Sequence, residues 1–194
     1  MKLIAITGGI GSGKSMVARI VSTMGYPVCD TDSLARSLMA SDPTLKQQLS
    51  SAFGPNTYLS DGNVNRPYLA QVAFASDEAR QRLNSIVHPA VANYVVQWAH
   101  KDTTPMAFVE TALLNTSGMR PMVDTVWHVT APVAQRIERV TARSGLTPDE
   151  VLRRIQSQAH DDEPMTGDVV LLNDGQQALL PQIVDALNDL NFRD

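Results

Sequence analysis

The chain predicts an α/β fold: a five-stranded parallel sheet flanked by helices, with a helical insertion and a helical lid. Three observations carry that expectation. Short apolar runs, partly β-branched and ending at glycines or acids, alternate with amphipathic helical stretches, as parallel strand and helix units require. The alternation stops between Asp42 and about Lys101, where helical segments follow one another, and then resumes. With 194 residues and 43% hydrophobic side chains, the chain can bury one good-sized core with room for a small appended part.

Each element follows from its pattern. "KLIAIT" is a buried first strand that stops at glycines. Met16, Val17, Ile20, Val21 and Met24 then recur at helical spacing, with Gly25 as a C-terminal stop. "YPVCD" reads as a second strand and "TDSLARSLMA" as the start of a second helix. The helical excursion that follows is interrupted by the turn-rich "FGPNTYLSDGNVNRP". "MAFVE", "TVWHV" and, after two more helices, "VVLLN" supply three further strands. The last helix, after Gly175, carries Leu179, Ile183, Leu187 and Leu190 on one face, an ordinary core stripe. One domain, 1–194, results, with a core of 1–41, 104–131 and 168–194, an insertion at about 42–103 and a lid at about 132–167.

Charge and cysteine usage exclude several classes. The formal net charge is −4, so a broad nucleic-acid footprint is not expected and any basic site must be local. Cys29 is the single cysteine, which excludes an internal disulfide and a Cys-rich zinc site and reads as a small core residue. No signal-peptide pattern opens the chain and no apolar run of about 18 residues crosses a bilayer. A cytoplasmic protein with no membrane, nucleic-acid or obligate protein partner is the expectation.

The chemistry begins at Gly8-Gly9-Ile10-Gly11-Ser12-Gly13-Lys14-Ser15, which fits G-x-x-x-x-G-K-[ST] at every position, between an apolar strand and an amphipathic helix. Glycines allow the tight turn that aims N–H groups at phosphate oxygens, and the helix adds its positive dipole end. Lys14 would reach the β- and γ-phosphates and Ser15 would ligate Mg²⁺. The motif alone indicates the P-loop nucleotide-binding superfamily, to which the P-loop kinase fold belongs, and leaves the acceptor open. Asp30 and Asp32 follow the second strand, where doubly wound sheets gather ligands. Asp32 suits the carboxylate that orients an acceptor hydroxyl and takes its proton; Asp30 either helps hold the metal or, with Thr31, caps the helix. Glu110, closing "MAFVE", is either a metal-binding acid of the Walker B kind or a cap or surface charge.

Arg136, Arg139 and Arg143 share one helix face beside Val133, Ile137 and Val140. A second helix opens with Thr147, Pro148 and Glu150 as a capping box and carries Arg153, Arg154 and Gln158. Solvated surface is one reading of these arginines. A lid that closes over the nucleotide and spreads positive charge over the transferring phosphoryl group is the other.

Taken together, the residues resemble the dephospho-coenzyme A kinase family. The resemblance lies in T-G-G-I-G-S-G-K-S at Thr7 to Ser15, the D-x-D of Asp30 and Asp32, and R-L-x-x-I-x-H-P at Arg82 to Pro89. It extends to the lid pattern of Arg139, Arg143 and Arg154-Ile155-Gln156-Ser157-Gln158, and to Asn173-Asp174-Gly175. It implies transfer of the ATP γ-phosphoryl group to the ribose 3′-hydroxyl of dephospho-CoA, with Mg²⁺. It further implies that Gly9, Gly11, Ser12, Gly13, Lys14, Ser15, Met16, Arg143, Asn173 and Gly175 bind ATP. Lys14, Asp32 and Arg139 would act on the reacting groups, and Arg82 and His88 would lie where the acceptor binds. From the residues alone, His88 reads as a core histidine or a helix-entry residue before Pro89 rather than a functional one, and the resemblance reverses that reading.

Two departures stand out. Where the family commonly has P-L-L-F-E, this chain has Ala112-Leu113-Leu114-Asn115-Thr116, without the glutamate; ahead of the last strand K-A-D becomes Thr166-Gly167-Asp168. The rival readings are another small-metabolite or nucleoside monophosphate kinase, and a regulatory nucleotide switch. Against the switch, the sequence has no N-K-x-D guanine-reading motif.

Overall fold

The computed structural model describes residues 1–101 and 104–191, the side chain of Asn191 excepted. The expected segment ends at 103 and 194 lie outside the described residues. The described chain divides into two compact units, Met1–Cys29 with Ala99–Asp194, and Asp30–Trp98.

The first unit is built on a sheet of order β2-β3-β1-β4-β5. Its strands are β1 (Lys2–Thr7), β2 (Val28–Asp30), β3 (Met106–Glu110), β4 (Thr125–Thr130) and β5 (Val169–Leu172). The β1-β3, β1-β4 and β4-β5 pairs are all parallel. The central strand β1 is buried from Leu3 to Thr7, which is why its sequence is continuously apolar rather than alternating. Ile4, Ile6, Phe108 and Trp127 form a core with Val17, Ala18 and Val21 of α1 (Lys14–Thr23) and with Ile183, Ala186, Leu187 and Leu190 of the last helix. The Phe108 and Trp127 rings sit 5.1 Å apart between centroids, a tilted pair within the range that favours aromatic contact.

Two apolar expectations fail at element ends. Met16 and Met24 are 51% and 42% exposed, because the stripe of α1 narrows to Val17, Ile20 and Val21. Val133, the first residue of α6 (Val133–Ser144), is also exposed and lies outside the cluster of Val140, Val151 and Ile155, against which Ile137 packs. Cys29 is half-buried rather than a core residue, since β2 is the sheet edge. The capping box forms as read: Glu150 N donates to Thr147 Oγ1, and Thr147 N donates to Glu150 Oε2, at the start of α7 (Pro148–Ser157). A one-turn helix, α8 (Ala159–Asp162), follows, and α9 (Leu179–Asn191) closes the unit.

The second unit is helical. It contains α2 (Thr31–Ser41), α3 (Pro43–Phe53), α4 (Arg66–Ala73) and most of α5 (Asp77–Lys101). The expected core segment 1–41 is thus divided, because α2 packs on α3 and belongs with the helical unit from Asp30 onward. The turn-rich interruption holds a 3₁₀ turn at Pro55–Thr57 and a bridge between Tyr58 and Val64. Helix α5 runs 25 residues with Pro89 inside it, so His88 is a mid-helix, half-buried residue and not a helix entry.

Candidate active site

The phosphate loop joins the central strand to α1, and sheet register decides what stands beside it. Ile6 pairs with Glu110, which brings the acid at the end of β3 level with the loop. Ser15 Oγ donates to Glu110 Oε1 at 2.6 Å. Lys14 Nζ donates to Gly9 O at 3.2 Å. Gly13 has φ +104°, a backbone that favours glycine, and a Cβ there would lie 2.0 Å from Asn173 Nδ2 and push that amide aside. Asn173 Nδ2 donates to Ser12 O at 2.9 Å, tying the segment after β5 to the loop. Met16, exposed, has its amide on Gly13 O at 2.9 Å in the first turn of α1.

The three arginines of α6 part company. Arg136 is buried at 4% exposure. Its Nη1 pairs with Asp162 Oδ2 at 2.7 Å, and its Nε donates to Ile10 O at 2.8 Å. Arg139 donates to Gly11 O at 3.4 Å, to Asn173 O at 2.9 Å and to Gln135 Oε1 at 3.0 Å. Arg143, in the last turn of α6, is exposed, as are Arg153 and Arg154 on α7. The expected common face therefore holds one structural arginine, one loop-bound arginine and one exposed arginine.

Sequence reasoning missed the acids of α8. Asp162 Oδ1 accepts from Gly9 N at 2.8 Å, and Gln158 Oε1 accepts from Ile10 N at 3.0 Å, so side chains after α7 satisfy the leading loop amides. A Cβ on Gly9 would fall 2.2 Å from both Asp162 Oδ1 and Arg136 Nη2. The neighbouring Asp161, 3% exposed, accepts from Asn115 N at 2.6 Å, from Thr116 N at 3.1 Å and from the Thr116 hydroxyl. Thr116 is the position where the expected glutamate is missing. No sequence spacing signalled either contact, because the partners lie 26 to 153 residues apart. His128, buried on β4, holds Nε2 3.0 Å from Asp162 O; burial keeps its imidazole below its ordinary pKa, only partly offset by that carbonyl. Asp168 pairs with both terminal nitrogens of Arg120 and accepts from Met165 N at 2.9 Å, so the acid of Thr166-Gly167-Asp168 closes a turn.

Asp174 Oδ1 accepts from Gln176 N and Gln177 N, which lowers its pKa and shapes the turn through Gly175, at φ +76°. In the helical unit, Asp30 is the N-cap of α2: Oδ1 accepts from Asp32 N at 3.0 Å and Oδ2 from Ser33 Oγ at 2.6 Å. Of its two readings, capping is the one its geometry displays. Asp32 is exposed in the first turn of α2, Arg82 is exposed on α5, and His88 lies six residues further along that helix.

A parallel sheet whose central strand runs into a glycine loop, a lysine and a serine held by an acid defines the class of phosphate-loop nucleotide-binding proteins. A dephospho-CoA kinase family model matches residues 2–178. A dephospho-CoA kinase of Bacteroides fragilis is 36% identical over 186 residues, covering 95% of this chain and 90% of that one. One of Porphyromonas gingivalis is 37% identical over 186 residues, with coverages of 95% and 92%. The crystal structure of a Thermus thermophilus protein aligns with a TM-score of 0.77 at 31% identity, covering 97% and 95% of the two chains. The chain belongs to the dephospho-CoA kinase family.

Proposed function

We propose that this chain transfers the γ-phosphoryl group of ATP to the ribose 3′-hydroxyl of dephospho-CoA, giving CoA and ADP in the last step of CoA biosynthesis. The observation that carries the reading is the intact loop Gly8–Ser15, with Lys14 and the Ser15–Glu110 contact at its helix end, in a chain of this family. The amides of Gly11, Gly13, Lys14 and Ser15 take phosphate oxygens at the head of α1, with Ser12 and Met16 bordering the same site, where the dipole favours negative charge. Lys14, Arg139 and Arg143 counter the charge that develops on the transferring group. Asn173, tied to the loop through Ser12, and Gly175 beyond it border the adenine.

Asp32 orients the 3′-hydroxyl and accepts its proton as the bond to phosphorus forms. Arg82 and His88 place the acceptor, which gives the insertion its role. Residues 132–167 act as the lid that keeps water from taking the phosphoryl group. Ser15 and Glu110 offer the hard oxygen ligands that Mg²⁺ prefers and would hold it there. When bound, Mg²⁺ would supply neutralisation of the phosphate charge. Asp30, with both oxygens committed to the cap, is assigned to positioning Asp32 rather than to metal. A reaction that draws on ATP and returns ADP fits the cytoplasm, where we place the enzyme, acting on small molecules without an obligate protein or nucleic-acid partner.

A panel of acceptors with ATP tests the reading. Rapid ADP formation only with dephospho-CoA is expected; equal turnover with nucleoside monophosphates, or slow acceptor-independent hydrolysis alone, would overturn it. Asp32→Asn should keep ATP binding and lose most turnover, on the order of 10²-fold or more. A near-parental kcat in that variant removes Asp32 as the base.

A further inference from the structure

Gly9 fills a position that the loop pattern leaves open, since G-x-x-x-x-G-K-[ST] asks for glycine only at Gly8 and Gly13. Its φ lies outside the left-handed region, so the backbone does not ask for glycine either. The pair beside it does: a Cβ would fall 2.2 Å from Asp162 Oδ1 and 2.2 Å from Arg136 Nη2. Neither side chain has room to withdraw. Arg136 and Asp162 are 5% and 13% exposed, and Arg136 is held a second time through Ile10 O.

Stability alone is a poor account of this pair. A buried ion pair gives little over apolar residues of the same volume, because both charges lose their water. Here Arg136 Nη2 is also buried with no hydrogen-bond partner among the described residues, a further cost. The contacts that the pair makes lead instead to Lys14. Asp162 Oδ1 accepts from Gly9 N, and Lys14 Nζ donates to Gly9 O, so one glycine is held by the carboxylate at its amide and meets the ammonium at its carbonyl. Glycine has no side chain to fix its own orientation. What holds the Gly9 amide therefore decides where its carbonyl points.

We propose that Arg136 and Asp162 are positioning residues for phosphoryl transfer, holding Gly9 so that its carbonyl places the Lys14 ammonium. The inference rests on the preceding reading, in which Lys14 counters the charge on the transferring group. Arg136 keeps the Asp162 carboxylate in place, Asp162 keeps the Gly9 amide, and Gly9 keeps Lys14. Misplacing a reacting group by about 1 Å can cost 10²-fold in rate, so a small turn of Gly9 suffices. Arg136 stands in the opening turn of α6 and Asp162 at the end of α8, so the pair also joins the two ends of the lid segment at the loop.

A double-mutant cycle on the full chain tests this. One arm replaces the pair by apolar residues, Arg136→Met with Asp162→Leu, which leaves no unpaired charge inside. The other arm is Lys14→Met, and the last chain carries all three changes. The paired replacement should lower kcat by about tenfold or more with KM for dephospho-CoA within about twofold. With Lys14→Met already present, it should lower the residual kcat by less than about twofold, because residues that act as one unit lose their effect once. Gly9→Ala should copy the paired replacement, since its methyl displaces the pair while both side chains remain. Equal fold losses with and without Lys14, or a parental kcat in the paired replacement, would overturn the inference. Should the paired replacement fail to fold, Gly9→Ala takes its place in the cycle. If the parent turns over no dephospho-CoA, the preceding reading fails; calorimetric titration of ATP into the four chains then still decides the placement of Lys14, additive losses of affinity refuting it.

Discussion

Asp168 exchanges the role a sequence pattern offers for a structural one. Its side chain is 2% exposed, it faces both terminal nitrogens of Arg120, and it accepts the Met165 amide. Removing Asp168 takes the counter-charge from Arg120, whose side chain is 26% exposed, and the acceptor from the Met165 amide, so Asp168→Ala should cost about 3 kcal/mol. For a chain of this length that is roughly 6–12 °C in melting temperature. A calorimetric scan checks it, and a variant that melts with the parent shows the pair to be inert. Single residues were also where the sequence was hardest to read. Lys14 and Ser15 declare themselves by motif, because a local turn and a local helix fix their use. Arg136 did not, because its partner Asp162 is reached only through the fold; an arginine row looks the same whether it faces a ligand or a buried acid.

At the scale of elements, periodicity and caps carried well. The bounds of β3 coincide with "MAFVE", and Thr147 to Glu150 form the expected capping box, since both depend on neighbours in sequence. The one-turn α8 went unseen because four residues show no period. Helix α5 overrides its own breaker. Pro89 has no N–H to give to Ser85 O, yet the helix continues to Lys101. A helix-interior proline costs about 3 kcal/mol, and part of that is offset by the entropy it removes from the unfolded chain. Pro89→Ala, at an exposed position, should therefore stabilise by roughly 1–2 kcal/mol, seen as a higher urea midpoint with unchanged slope. A lower midpoint would mean that the ring's contacts outweigh the lost hydrogen bond.

For the whole molecule, strand count was legible and strand order was not. Five apolar runs predict five strands, but the placement of β1 between β3 and β4 is settled by packing, through Ile4 and Ile6 against Phe108 and Trp127. That order puts His128 in the buried sheet, with a pKa held below the 6.5 of an exposed imidazole, chiefly by burial. The unfolded chain binds its proton near pH 6.5 and the folded chain only at lower pH. Stability is therefore complete above about pH 6.5 and declines as acid is added below it. Melting temperatures at about pH 7.5 and about pH 5.5 should differ, and His128→Gln should narrow the difference. An unchanged gap in that variant would assign the acid sensitivity to other groups. Among the described residues no helix is long and apolar enough to cross a membrane.

The bonds from Asp162 and Gln158 to the amides of Gly9 and Ile10 carry a consequence for how nucleotide is met. A glycine-rich segment left to itself samples many shapes, and a ligand that must freeze it loses affinity by the entropy surrendered. Here a carboxylate and a carboxamide from the same chain have frozen it in advance. Part of the ordering cost is met during folding, so less of the affinity for a triphosphate is spent on shaping its receptor.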